Sequence, residues 1–358
     1  MKKYLRVVII IAVPVMLLGM LYVRTRASGV VEVNSGFRMV MGTFSRVVVI
    51  AKSQRAAQRC IEAAFDAQNR VESLMSDYRE DSELSKVNRL AAQGPVAVSE
   101  MTFEILQKAV HFSELSEGAF DVTVGPLVDL WHKAGETDVP PTEGALAEAR
   151  RMVGYHKLIL DEQNRTVRFA VAGMRVDLGG IGKGYAADKA VEAMKEHGAL
   201  GGMVAIAGDI RCFGRPPRGQ EHWRIGLQDP NVALEDLGPS KPLLVLALTS
   251  EGVSTSGDYR RFVRVQGHKQ SHILDPGTGK GANRLVSDTI IAPDATASDA
   301  LSTAVNVLGL EKGLALIERI AGTEAILIPT GKDAQPLFSH GARAYIVPAP
   351  GATRPDEK

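Results

Sequence analysis

Near the middle of the chain, Asp177-Leu-Gly-Gly-Ile-Gly-Lys-Gly-Tyr-Ala-Ala-Asp188 puts Gly179, Gly180, Gly182 and Gly184 around a single lysine, Lys183. Glycine lets a backbone turn sharply and be approached closely. The segment from Met174 to His197 therefore reads as strand, glycine-rich turn, helix. Free N–H groups at a helix start, with a lysine among them, suit a phosphate or pyrophosphate. A tight turn with no ligand is also open on these residues. Two familiar phosphate loops are excluded. A Walker A register on Lys183 needs Gly at 177 and Ser or Thr at 184, where Asp and Gly stand, and the glycine spacing does not fit G-x-G-x-x-G.

The elements around this unit set the fold class. Phe37 to Lys52 reads as two strands about a turn, with Val47 to Ile50 its most β-rich run. Apolar residues at Ala56, Cys60, Ile61, Ala64, Phe65, Val71, Leu74 and Met75 recur at three and four, predicting a helix that ends near Ser76. Further helices are expected over Ser99–Glu117, Thr142–Val153, Thr296–Leu308 and Gly313–Ile320. Strands are expected at Leu158–Leu160, Thr166–Ala170, Met203–Ile206, Trp223–Leu227, Leu243–Leu248, Ala325–Ile328 and Ala344–Val347. Strands in runs with single helices between them imply an α+β fold of mainly antiparallel sheet with flanking helices.

Composition removes other classes. Hydrophobic residues at 45% and charged residues at 23% are those of a folded globular chain. Lys plus Arg (42) nearly balances Asp plus Glu (41), so no basic excess exists to drive nucleic-acid binding. Cys60 and Cys212 are too few for a disulfide framework or a cysteine-rich zinc site, and the histidines show no ligand spacing.

The amino terminus stands apart. Lys2, Lys3 and Arg6 precede the uncharged run Val7–Val23, and Arg24 and Arg26 follow it. This is the pattern of a signal peptide or short signal-anchor over residues 1–29, near the lower length limit for spanning a bilayer. Met20 stands where a lipoprotein cysteine would be needed, and no good cleavage site follows. The reading is an uncleaved anchor in the cytoplasmic membrane, with one folded domain over 30–348 on the extracytoplasmic side and a polar tail over 349–358.

Three other constellations bear chemistry. In Thr296-Ala-Ser-Asp-Ala-Leu-Ser-Thr303, Thr296 is placed to cap a helix with Asp299 in its first turn. Asp299 and Thr303, at i and i+4, share a face, and a carboxylate with a hydroxyl suits Mg²⁺ beside phosphate oxygens. In Ser271-His-Ile-Leu-Asp-Pro-Gly-Thr-Gly279, His272 precedes a turn and could take a proton from a hydroxyl, although a lone histidine is more often structural. In Gly118-Ala-Phe-Asp-Val-Thr-Val-Gly125, Asp121 beside Phe120 combines a carboxylate with an aromatic surface, and Tyr78 offers another ring. Together these suit a flat aromatic ligand with a pyrophosphate and a divalent ion.

The ordered set resembles the ApbE family of FAD:protein FMN transferases. The matching blocks are Met41-Gly-Thr43, Met75-Ser-Asp-Tyr78 with Ser82 to Asn88, Gly118 to Pro126, Asp177 to Asp188, Gly208-Asp209-Ile210, Thr255 to Tyr259, His272 to Gly279 and Asp299 to Thr303. The resemblance implies a flavin transferase fold. It also implies a reaction in which a threonine or serine hydroxyl of an acceptor protein attacks the FMN phosphorus of FAD, AMP leaves and Mg²⁺ (or Mn²⁺) assists. By position, Met41, Tyr78, Ala119, Phe120, Asp121, Asp177, Lys183 and Ile273 should contact FAD. The Gly180 carbonyl, Asp299 and Thr303 should hold the metal, and His272 is the candidate base. Most family members read Gly-Ile-Ala-Lys where this chain has Gly180-Ile181-Gly182-Lys183, a change that removes one methyl group. Implied partners are FAD and flavin-carrying subunits of extracytoplasmic or membrane redox complexes. An FAD pyrophosphatase giving FMN and AMP would share this site; a non-catalytic flavin-binding protein would be expected to lose Asp299, Thr303 or His272.

Overall fold

In a computed structural model, residues 29–230, 242–257, 262–331 and 334–348 are described. The chain opens with a hairpin of β1 (Val31–Val40) and β2 (Thr43–Ala51), joined through Met41 and Gly42. Both turn residues have positive φ, 52° and 66°. That matches a two-residue hairpin turn whose twist agrees with that of the strands. The helices α1 (Gln54–Met75), α2 (Glu83–Leu90), α3 (Glu100–Leu115), α4 (Gly125–Thr137), α5 (Glu143–Met152) and α6 (Gly182–Glu196) follow. The main sheet then resumes with β3 (Gly201–Ile206), β4 (Asp209–Gly214), β5 (Gly252–Gly257) and β6 (Leu285–Ala292). After α7 (Ala295–Leu308) and α8 (Leu310–Ile317), β7 (Glu324–Pro329) and β8 (Leu337–Phe338) complete it.

These eight strands lie side by side in chain order, every neighbouring pair antiparallel. One face carries α1, α6 and α7. The other carries a three-stranded sheet of Trp223–Leu227, Leu244–Leu248 and Ile346–Val347. Strand β2 shows both contacts. Val47, Val49 and Ala51 enter the helix-side core, and Val48 and Ile50 enter the second core with Trp223 and Leu246. Burial on both faces explains why Val47–Ile50 is a continuous apolar run and not an alternating one. The α+β, mainly antiparallel fold with flanking helices expected from the sequence is observed.

Serine and threonine side chains set several helix starts. Ser53, Ser82, Ser99 and Thr142 each accept from a backbone N–H three residues on. Four expectations need correction. Met174–Leu178 is not a strand: it makes one parallel bridge, between Arg175 and Val124. Its backbone groups pair elsewhere, Val176 with both ends of the Asn88 side-chain amide and the Asp177 N–H with the Val122 carbonyl. Helix α7 starts one residue before Thr296 with Asp294 as its cap, so Asp299 lies beyond the first turn. The helix expected at Gly313–Ile320 runs three residues earlier, from Leu310 to Ile317. Ala344 and Tyr345 belong to a 3₁₀ turn over Ala342–Tyr345, leaving Ile346–Val347 as strand.

The expected anchor (within 1–29), the polar tail over 349–358 and the Asp258-Tyr259 pair fall outside the described residues, Gly29 excepted. Among the described residues, no helix is long and apolar enough to cross a membrane.

Candidate active site

The glycine-rich turn is held by local bonds. The Leu178 carbonyl accepts from the Ile181 and Gly182 N–H groups, and the Asp177 carboxylate accepts from the Gly179 N–H at 2.7 Å. Burial, then the nearby Asp77 charge, pushes the Asp177 carboxyl above its ordinary pKa, against the Gly179 bond and Arg175. Helix α6 starts at Gly182 without a side-chain cap of its own. A carboxylate from another helix serves instead: the Gly184 N–H donates to Asp299 Oδ2 at 2.9 Å.

Helix α7 is oriented by a polar ladder. Ser298, Ser302 and Asn306, spaced four apart, face the sheet. Ser298 meets Ser254 on β5 at 2.8 Å. Ser302 reaches Ser256 at 2.6 Å and Asp288 on β6 at 2.7 Å, and Asn306 donates to Asp288 at 3.0 Å. With that face committed, Asp299 and Thr303 turn toward the glycines. At the helix start, Asp188 accepts from the Ala295 and Thr296 N–H groups and the Thr296 hydroxyl, and pairs with Arg211 Nε at 3.0 Å. Thr296 thus donates to α6 and does not cap α7.

The two helices meet at Lys183. Its Nζ lies 2.8 Å from Asp209 Oδ2 and 3.4 Å from Asp299 Oδ1, with the Gly179 carbonyl at 3.5 Å. The carboxylates are about 5% exposed, so this is a buried cluster. Burial alone would lower the Lys183 pKa. The adjacent Asp209 and Asp299 outweigh it and hold the ammonium above its ordinary value. Burial, and then Asp209, pushes the Asp299 carboxyl above its ordinary pKa, with Lys183 opposing. With both acids ionised, two carboxylates share one cation. Thr303 adds a hydroxyl. A Cβ built on Gly180 would sit 2.9 Å from Thr303 Oγ1 and 3.3 Å from the Phe120 ring, so only glycine allows this approach. Carboxylate, hydroxyl and backbone carbonyl are all hard oxygen donors, and a site short of positive charge fits a divalent cation. Among the described residues, no group of three or more His, Cys, Asp or Glu forms a conventional metal cluster.

Comparison with known proteins identifies the family. The family model described as the ApbE family matches residues 41–327. The chain belongs to the ApbE family. The FAD:protein FMN transferase of Treponema pallidum is 35% identical over 304 residues, spanning 81% of this chain and 83% of that protein. The protein of the same name from Vibrio cholerae is 34% identical, over 78% of this chain and 82% of its own. Among solved structures, the ApbE protein of Thermotoga maritima aligns with a TM-score of 0.76 at 32% identity, covering 88% of this chain and 99% of that one. The flavin transferase ApbE of Vibrio cholerae gives the same TM-score and coverages at 30% identity.

Of the other positions expected from the sequence to contact FAD, Met41 and Phe120 lie against the glycine-rich turn. Met41, at the hairpin turn, is held through its N–H by Glu72 at 2.9 Å, and its methyl group lies 3.7 Å from a Cβ built on Gly182. Phe120 is buried against Gly180. Ala119 packs with Ile273, Ala282 and Val307, and Val307 is one turn beyond Thr303 on α7. His272 is exposed between the buried Ser271 and Ile273, which puts it at the margin of this group. Tyr78 is 84% exposed. Asp77, just before it, is gripped by Arg175 at 2.6 Å. Asp121 already holds three protein donors, the Thr123 N–H and hydroxyl and the Tyr155 N–H, so its carboxylate braces the wall. Burial raises its pKa despite those bonds.

Sequence reasoning did not assign Asp209, the nearest partner of Lys183, or Asp188, which ties α6 to α7. Both lie inside blocks already singled out, Gly208–Ile210 and the last position of Asp177–Asp188. A cavity of about 590 Å³ bordered by Asn88, Lys133, Glu148 and Arg175 lies between α4 and α5, and none of Lys183, Asp209 or Asp299 lines it.

Proposed function

We propose that this chain transfers the FMN half of FAD to a threonine or serine hydroxyl of an acceptor protein and releases AMP. The observation that carries the reading is the buried Lys183–Asp209–Asp299 cluster beneath the glycine-rich start of α6, in a chain similar to FAD:protein FMN transferases over most of its length. The N–H groups of Gly179, Ile181, Gly182 and Gly184 already donate within the protein, so the charge offered to pyrophosphate oxygens is the Lys183 ammonium. Phe120, Met41, Ala119 and Ile273 supply apolar wall for the flavin, with Tyr78 at the open side and Asp177 and Asp121 bracing the loops.

In the reaction, the acceptor oxygen bonds to the FMN phosphorus, the bond from that phosphorus to the AMP oxygen breaks, and the hydroxyl proton passes to His272 Nε2 or Nδ1. Transfers of this kind are accelerated mainly by positioning and charge stabilisation. Lys183 stabilises charge on the departing AMP phosphate. The Gly180 carbonyl, Asp299 and Thr303 would hold Mg²⁺, with Mn²⁺ a substitute of the same donor preference. When bound, the ion neutralises pyrophosphate charge.

Residues 1–29 serve as a membrane anchor that holds the domain on the extracytoplasmic side, and the acceptors are flavin-carrying subunits of redox complexes there. The charge-flanked apolar run Val7–Val23 supports the anchor. The test is stoichiometric: with FAD, Mg²⁺ and an unmodified acceptor subunit, AMP release should equal acceptor modified. AMP released without modification means hydrolysis, and no AMP means a flavin-binding protein.

A further inference from the structure

Among the described residues, nothing covers one patch of the main sheet. On β1 and β2 the side chains of Phe37, Met39 and Phe44 share a face, with Met39 directly opposite Phe44 and Phe37 opposite Arg46. The three are 70%, 63% and 60% exposed, and the Phe37 and Phe44 rings make an edge contact at 6.3 Å. The other face of this hairpin is packed: Arg38 pairs with Glu62 and lies over Phe65, and Val40 and Val47 are buried. Farther along the same face of β2, Val48 and Ile50 are buried in the core shared with the small sheet. The patch begins where that small sheet stops. Adjacent large apolar groups left in water on one face mark an interaction surface.

Its position says what should cover it. Met41 and Gly42 turn the chain between Met39 and Phe44, and Met41 reaches Gly182, next to Lys183. The Phe44 carbonyl accepts from the Ala207 N–H, in the turn that leads to Asp209. The patch therefore borders the reacting end of the sheet. The Arg46 guanidinium, 5.7 Å from the centre of the Phe37 ring, has no carboxylate partner among the described residues. The described chain enters β1 at its far end, where Val31 pairs with Ala51.

We infer that the Phe37–Met39–Phe44 face is the docking surface for the acceptor protein, taking an apolar patch with a carboxylate at its margin for Arg46. The inference rests on the transferase reading. Docking there holds a folded acceptor while its hydroxyl-bearing segment reaches past Met41 to the site. Loss of central apolar contacts should weaken acceptor binding tenfold or more, the equivalent of about 1.4 kcal/mol.

The test compares the wild-type chain with Met39→Ser/Phe44→Ser and with Arg46→Glu. The substrates are a purified, unmodified flavoprotein subunit and, separately, a short threonine peptide that lacks its surface. The expected result is a KM for the subunit raised at least tenfold in the double variant. The FAD Kd should stay within twofold of wild type, and the peptide should be modified equally by both. An unchanged KM for the subunit overturns the inference. So does a wild-type dimer that the double variant dissociates, which would make a second copy the occupant. A wild-type chain that modifies neither substrate removes the transferase reading, and this inference with it.

Discussion

Gly182 and Gly184 lie two residues apart on the same helix start, yet the structure gives them opposite tolerances. A Cβ on Gly184 would stand 2.0 Å from the Ala295 carbonyl oxygen and 2.8 Å from Asp299 Cβ. Ordinary carbon–oxygen contact begins near ~3.3 Å, so α6 and α7 would have to part by roughly 1.3 Å. The obstacle is backbone, which cannot swing away as a side chain can. Overpacking of this kind costs about 3 kcal/mol at its upper range, and alanine returns about 1 kcal/mol of helix propensity. A net loss of about 2 kcal/mol in a domain of roughly 320 residues, at about 2.1 cal/mol/K of unfolding entropy per residue, lowers Tm by about 3 °C. The same shift moves Asp299 relative to Lys183, and a displacement of about 1 Å can cost on the order of 10²-fold in rate. For Gly182→Ala, the nearest atoms to the new methyl are Met41 Cε at 3.7 Å and Leu178 Cβ at 3.9 Å, ordinary contacts. That variant, which restores the residue most ApbE-family members are expected to carry, should keep full activity and melt at or slightly above the wild type. Thermal unfolding and initial transfer rates of both variants decide the matter. Gly184→Ala matching wild type in both measurements, or Gly182→Ala doing equal damage, would refute the packing argument.

Other outcomes follow from the same geometry. Asp299→Ala should lower transfer by on the order of 10²-fold or more and abolish its response to added Mg²⁺; an unchanged Mg²⁺ titration would take Asp299 out of the metal site. His272→Ala should bind FAD normally and transfer about 10²–10⁴-fold more slowly, and a full rate would end its role as base. Deletion of residues 1–29 should leave a folded, active chain absent from the membrane fraction; an unfolded product would show that the segment belongs to the core.

What could be read from the sequence was whatever depends on near neighbours. Helix periodicity located α1, start and stop residues located α3 and α5, and the i, i+4 spacing put Asp299 and Thr303 on one face. The glycine cluster marked the start of α6. What escaped depends on partners distant in the chain. Asp209 is 26 positions from Lys183, and only the β3–β4 turn brings it there. Asp294 and Thr296 are both good caps by type, and Asp188 decides between them by taking the Thr296 hydroxyl. Met174–Leu178 has strand composition, but the Asn88 side chain occupies the backbone groups of Val176 that a neighbouring strand would need. Helices α2 and α4 were not anticipated. The first is only eight residues long, and the second starts at a glycine and a proline with no capping side chain.

The central claim is that the cluster under the glycine-rich turn moves FMN onto a protein. Its most direct test is the intact mass of an acceptor subunit after incubation with this chain, FAD and Mg²⁺. The account predicts a gain equal to FMN less one water, abolished by EDTA and by replacing the acceptor threonine with valine. An acceptor of unchanged mass, or a gain that persists without the metal, would contradict it.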